Sequence, residues 1–240
     1  MTALHVGTSG WSYPEWKGSF YPEEMKTDAM LPFYAERFDS VEVNNTFYRL
    51  PRREVLEGWG GQVPSGFSFV IKASQRITHK AKLGADAAAP LAYLLDACGE
   101  LGNRLGPILF QTPPWLKKDV ALLQGFLSLV PPGRKAAFEF RSPTWFDDAV
   151  YAALADRNAA LVVADTGEEA KDPPLVRTSD WGYARLRRVE YPGDLLGEWA
   201  ARLTGAGWER LWVFFKHEDE GTGPRLAARF RALAQGEPTA

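Results

Sequence analysis

Charged and polar side chains in this chain recur at the ends of short apolar runs. Glu42 stands between Val41 and Val43, and Asn44 and Tyr48 follow. A glutamate in such a place is either a solvated edge residue or a carboxylate at the mouth of a closed sheet, where no strand has a free edge. Lys72 ends the run Phe69–Ile71. Its apolar stem can be buried while its ammonium reaches a pocket or pairs with Glu42 or Glu139. Glu139 and Arg141 alternate with Phe138 and Phe140, and a period of two puts both charges on one strand face. There Arg141 can clamp a phosphate or carboxylate through its planar fork, and Glu139 can carry a proton or hold a cation. Asp165 ends the run VVAD and Gln111 ends ILFQ, each as a site residue or a turn-former. Arg185 sits in YARLR, and Lys216 and His217 follow WVFF.

Of the three histidines, His5 reads as structural, whereas His79 and His217 are candidates for a site. Glu42, Glu139, Asp165 and His217 are the candidate proton carriers. Trp11, Asn44, Tyr48, Lys72, His79, Gln111, Arg141, Trp145, Arg185 and Lys216 are the candidate ligand contacts. Trp11 and Trp145 suit either stacking on a ring or ordinary packing. No HExxH and no cysteine cluster is present, so no metal site and no cofactor is expected. Cys98, the one cysteine, lies in an apolar helical stretch and reads as a small buried side chain.

These residues need a scaffold that brings strand ends together. Strand-like runs occur at 5–7, 40–45, 67–73, 107–111, 136–140, 160–165, 183–187 and 210–216. Several lack clean alternation, as expected when both sheet faces are buried. Helical stripes lie between most of them, at 28–38, 88–101, 119–129, 147–157, 194–203 and 224–234, with Asp28, Asp119 and Asp147 as candidate caps. Alternating strands and helices predict an α/β fold with a parallel sheet, and eight units of about 30 residues predict a (β/α)8 TIM barrel. The active face of such a barrel is where strands run into the following loops. A doubly wound nucleotide-binding sheet is the rival, but GTSGW after the first strand is neither GxGxxG nor a P-loop. Residues 166–182 form the longest irregular stretch and read as a surface loop.

The bulk properties agree with a single domain over 1–240. The 240 residues are 45% hydrophobic and 24% charged, ordinary for a globular protein. A net charge of −2 offers no general attraction to a polyanion. No leader-like opening and no membrane-length apolar run is visible, so a cytoplasmic location is expected.

Six blocks carry a resemblance: GTSGWSYPEWKGSFYP at 7–22, VEVNNTFYRLP at 41–51, FSFVIKASQRITH at 67–79, LGPILFQTPP at 105–114, FEFRSPTWF at 138–146 and WVFFKHEDEGTGPRLA at 212–227. Together they resemble the DUF72 family, also called YecE-like, from the first strand to the last. The resemblance implies a (β/α)8 barrel akin to the xylose isomerase and endonuclease IV barrels, and no settled activity. A nuclease-like role, suggested for the family from pocket similarity, would need a rich His/Asp/Glu metal set that this chain lacks. Many relatives end the seventh strand Arg-Leu-His-Gly, where this chain has Arg185-Leu186-Arg187-Arg188. Many also end the eighth with Phe followed by Asn-Asn-Asp, where this chain has Phe215 and then Lys216-His217-Glu218-Asp219.

Three functional expectations follow. The leading one is a metal-independent pocket enzyme for a small anionic or polyhydroxylated molecule, with Arg141, Arg185 and Lys72 holding negative charge and Glu42, Glu139 or Asp165 handling protons. The second is a phosphodiester enzyme on nucleic acid, with a basic groove around Arg76, Lys80, Lys82, Arg185, Arg187 and Arg188. The third is a binding module without catalysis.

Overall fold

The computed structural model describes residues 2–168, 172–216 and 219–236. Strands β1 (Ala3–Thr8), β2 (Ser40–Val43), β3 (Ser68–Lys72), β4 (Leu105–Gln111) and β5 (Ala136–Glu139) are followed by β6 (Ala160–Leu161), β7 (Val163–Asp165), β8 (Trp181–Leu186) and β9 (Arg210–Phe215). They form two sheets, β2-β3-β4-β5-β6 and β1-β9-β8-β7, and every pairing is parallel. The strand expected at 160–165 is divided at Val162: its first half pairs with β5 and its second with β8. That one strand therefore joins the two sheets into a barrel of the expected α/β class.

At the other seam β1 and β2 share no ladder. Side chains take its place. The Tyr34 hydroxyl accepts from the Thr8 backbone N–H at 2.8 Å and donates to the Ser40 carbonyl at 3.0 Å. Asp39 accepts from the Val6 N–H at 3.2 Å and pairs with His5 at 2.8 Å. Close approach needs a glycine here, because a Cβ on Gly7 would stand 1.9 Å from the Ser40 carbonyl oxygen. His5 thus has the structural role expected of it.

Helices α1 (Thr27–Ala35), α2 (Asn45–Tyr48), α3 (Arg53–Gly60), α4 (Ala88–Cys98), α5 (Val120–Leu129), α6 (Asp148–Ala155), α7 (Leu195–Thr204) and α8 (Thr222–Gln235) alternate with the strands. Asp119 and Asp147 cap α5 and α6, accepting from Leu122 and Ala149 at 2.9 and 3.0 Å. Asp28 does not cap; it lies in the first turn of α1, whose cap position is Lys26. The stretch 40–45 is a strand only to Val43, because Asn45 opens α2. Among the described residues no helix is long and apolar enough to cross a membrane.

Two hydrophobic layers result. The larger lies between strands and helices. The smaller fills the barrel: Val70, Leu109, Ala137, Ala160, Val162, Trp181, Tyr183, Trp212 and Phe214. Alternation carries each inward row to the strand exits, so Val70 leads to Lys72, Leu109 to Gln111, Ala137 to Glu139 and Tyr183 to Arg185. Phe214 leads in the same way to Lys216. Nine side chains plug the lower barrel, and the polar ends of these rows gather at its upper end.

Tyr34→Phe tests the side-chain seam. It strands a buried N–H and a carbonyl between β1 and β2, and should cost about 1–3 kcal/mol in urea denaturation.

Candidate functional site

Above the plug two glutamates and an arginine are fully buried. Glu42 and Glu139 project from β2 and β5, and Arg185 reaches between them from β8. The guanidinium donates to Glu139 Oε2 at 2.6 Å through Nη1 and to Glu42 Oε1 at 2.7 Å through Nη2. Other donors complete both carboxylates. Glu42 accepts from Ser9 at 2.7 Å, from Tyr183 at 2.6 Å and from Asn44 at 3.1 Å. Glu139 accepts from Gln111 at 2.7 Å and from Arg187 at 2.5 Å, with Arg141 Nε at 3.5 Å.

The electrostatics follow from this geometry. Burial by itself would raise the pKa of Glu139, but Arg185, Arg187 and Arg141 more than reverse it and hold the group well below the usual carboxylate range. Glu42 moves in the same direction, burial again being outweighed by Arg185 and by the Tyr183 and Ser9 hydroxyls. Their ion pairs and hydrogen bonds favour the ionised form of both, with their lone pairs filled by donors. They hold cations in place and are poor candidates for the proton-carrying role expected of them.

A cavity of about 300 Å3 opens over this layer. Its wall comes from six strand exits: Ser9 and Tyr13 after β1, Asn44, Asn45 and Tyr48 after β2, Lys72 on β3, Arg141 after β5, Arg185 and Arg187 at β8, and Lys216 after β9. Lys72 is partly buried, with its ammonium 4.3 Å from the centre of the Phe47 ring. Burial, then the nearby Arg185 and Arg141, lower its pKa to about 8 against the opposing pull of Glu42 and Glu139. Among the described residues Lys72, Arg141, Arg185, Arg187 and Lys216 meet only two carboxylates here. The surplus is positive. The buried Nε atoms of Arg185 and Arg187 have no hydrogen-bond partner.

Six of the residues expected to contact a ligand therefore meet around one cavity: Asn44, Tyr48, Lys72, Arg141, Arg185 and Lys216. Gln111 lies one layer lower and supports Glu139. His79 stands behind Phe47 at 5.0 Å between ring centres, and its pKa is lowered by burial and then by Lys72 and Arg141. Trp11 packs edge-on against Trp59 and Phe69 and borders a smaller depression beside the mouth.

Trp145 and Asp165 are not brought to this cavity. Trp145 is buried, stacks on Phe140 at 4.5 Å and donates to the Leu116 carbonyl at 2.8 Å, so it packs a loop. Asp165 is buried against Arg188 at 2.7 and 2.9 Å and caps the turn at Gly167. His217 lies outside the described residues. Ser9, Tyr13 and Asn45 line the cavity without being among the expected ligand contacts, and Arg187, expected only in a basic groove for nucleic acid, lines it too. Period two from Gly7 and from Arg185 would have found Ser9 and Arg187. Among the described residues no three His, Cys, Asp or Glu side chains are grouped as metal ligands.

A larger groove of about 780 Å3 runs outward from Tyr48 between α2 and α4. Arg49, Arg52, Arg76 and Lys80 border it, with Tyr48 and Tyr93 exposed. Its charges are solvated, whereas at the mouth Arg185 is buried and Arg185, Arg187 and Arg141 are each held against a carboxylate, so the mouth is the better organised site.

Removing the central cation tests this arrangement. Arg185→Met leaves two carboxylates buried without their partner, and a loss of about 3–5 kcal/mol is expected in chemical denaturation. Adding Glu42→Gln and Glu139→Gln to it should recover part of that loss.

Comparison with known proteins agrees with this architecture. The family model described as "Protein of unknown function DUF72" matches residues 5–240. The UPF0759 protein YunF of Bacillus subtilis is 28% identical over 159 residues, covering 62% of this chain and 54% of that protein. The UPF0759 protein YecE of Escherichia coli is 30% identical over 146 residues, or 60% and 50% of the two chains. The aligned part thus spans about half the length of these curated relatives. A crystal structure of a DUF72 family protein from Thermotoga maritima superposes with a TM-score of 0.80 at 25% identity, covering 97% of this chain and 99% of that one. One from Enterococcus faecalis superposes at 0.81 with 16% identity, covering 99% and 97%. A xylose isomerase-like TIM barrel fused to a 4-hydroxyphenylpyruvate dioxygenase matches in fold alone, at 0.56 and 12% identity, over all of this chain and 44% of that one. With the match reaching from β1 to the end of α8, the chain belongs to the DUF72 family.

Proposed function

We propose that the barrel mouth binds a small molecule bearing a phosphate or carboxylate group. The observation that carries this reading is the charge imbalance in a preformed cavity. Glu42 and Glu139 are occupied from below, and Lys72, Arg141, Arg187 and Lys216 still face the space above them. An anion there would gain charge-assisted hydrogen bonds from several cations gathered around one cavity, with Lys72 and Arg187 partly buried. Asn44, Asn45, Tyr13 and Tyr48 supply neutral polar groups around the anion, suited to the hydroxyls of a polyhydroxylated ligand.

The protein's own groups also favour one division of labour if it is an enzyme. The carboxylates position arginines, and among the described residues Lys72 is a cavity group whose lowered pKa, about 8, lets its charge change near neutral pH. A phosphodiester substrate running along the groove at Arg49, Arg52, Arg76 and Lys80 is a weaker reading, because those side chains are solvated.

Inorganic phosphate and citrate are suitable first probes. Binding should raise the melting temperature by a few degrees at ligand concentrations about 100 times Kd, since that saturation adds about 2.7 kcal/mol. Arg141→Ala and Lys216→Ala remove exposed side chains and should fold normally. Each should weaken binding about tenfold or more, as expected for a lost charge-assisted hydrogen bond of about 1.5–3 kcal/mol. Affinity should also fall with added sodium chloride. Melting curves unchanged by either anion would overturn the reading.

A further inference from the structure

Lys72 stands apart from the other cations of the site. Arg185, Arg187 and Arg141 are each engaged with Glu139, and Arg185 with Glu42 as well. No described carboxylate forms an ion pair with the Lys72 ammonium. Its stem follows the inward row of β3 above Val70, and its head lies over the Phe47 ring. The wall around it is cationic on several sides: Arg141 from β5, Arg185 and Arg187 from β8 and Lys216 from β9. Glu42 and Glu139 lie in the layer below, and His79 stands behind Phe47.

The geometry points to Lys72 as an amine nucleophile that forms a Schiff base with a small aldehyde or ketone carrying an anionic group, a 2-oxo acid or a phosphorylated ketone being the simplest class. This rests on the anion-binding reading of the same cavity and goes beyond it by naming the reacting group. A lysine ordinarily exists as ammonium and cannot attack a carbonyl. Desolvation beside another cation is a known way to keep such an amine neutral. Here burial and then Arg185 act in that direction, lowering the pKa to about 8. The surrounding arginines would hold the anionic end of the substrate, leaving its carbonyl carbon for Nζ.

The step balances without an oxidant or reductant. The neutral amine adds to the carbonyl carbon, forming a C–N bond as the C=O π pair moves to oxygen. Nitrogen loses one proton and oxygen gains one, giving a carbinolamine. Oxygen takes a second proton from solvent and leaves as water while the nitrogen lone pair closes the C=N bond. The product is an iminium cation, which draws electrons from the adjacent carbon and acidifies its C–H or loosens a carboxylate attached there.

Reductive trapping tests this on the full chain. The protein is incubated with pyruvate or dihydroxyacetone phosphate, with acetone as uncharged comparator, then reduced with borohydride and mapped by peptide mass spectrometry. The expected result is a reduced adduct on the peptide containing Lys72 with the two anionic probes, suppressed by excess inorganic phosphate. It should be lost in Lys72→Arg. Its yield should rise with pH and level off above about 8, as the amine becomes neutral. Adducts confined to other lysines, with Lys72 unmodified in the wild-type chain, would overturn the proposal. If phosphate still stabilised that protein, the anion pocket would stand and the nucleophile alone would fall. If Lys72 were trapped equally by acetone and without phosphate competition, the nucleophile would stand and the anion pocket would fall.

Discussion

One guanidinium holds the functional end of this barrel together. Arg185 joins two carboxylates that approach from opposite parts of the sheet, Glu42 on β2 and Glu139 on β5. All three are buried, where an unpaired charge would cost several kcal/mol. Their mutual neutralisation makes their burial tolerable. It also fixes the exits of β2, β5 and β8 relative to one another. Gln111, Tyr183 and Ser9 extend the same network to β4, β8 and the end of β1.

The remaining features of the site follow from that constraint. With the carboxylates occupied from below, the cations above them have no equal number of anions to meet. Arg187 and Arg141 share what is left of Glu139, and Lys72 has no carboxylate of its own. A cavity of about 300 Å3 is therefore bounded by positive charge above the Glu42, Glu139 and Arg185 layer, which rests on the buried plug of the barrel. Low local polarisability strengthens each charge in such a place. The overall charge of −2 conceals this, because the acidic residues lie elsewhere on the molecule.

Strand rows were legible in the sequence and strand partners were not. Alternation in FEFR placed Glu139 with Arg141, and the barrel class followed from the strand–helix rhythm. The bond between Glu42 and Arg185 spans 143 residues and is set by barrel closure, which no local pattern reveals. Asp165 looked equivalent to the other strand-end acids. Val162 faces the interior, however, so Asp165 three positions on points to the outer side and meets Arg188. Trp145 stood open between stacking on a ligand and ordinary packing, because an aromatic after a strand exit does either, and here it packs a loop against Phe140. The seam at Tyr34 was also hidden, since only the structure shows a hydroxyl standing in for a ladder bond.

The central claim is that Glu42 and Glu139 are permanent anions tied to Arg185, so that the cavity above them is left positive. Carbon-13 NMR of glutamate side-chain carboxyls, followed through an acid titration, reads this directly. Both resonances should stay at their ionised positions well below the ordinary glutamate pKa of about 4.3. Titration of either carboxyl at or above that value would contradict the account.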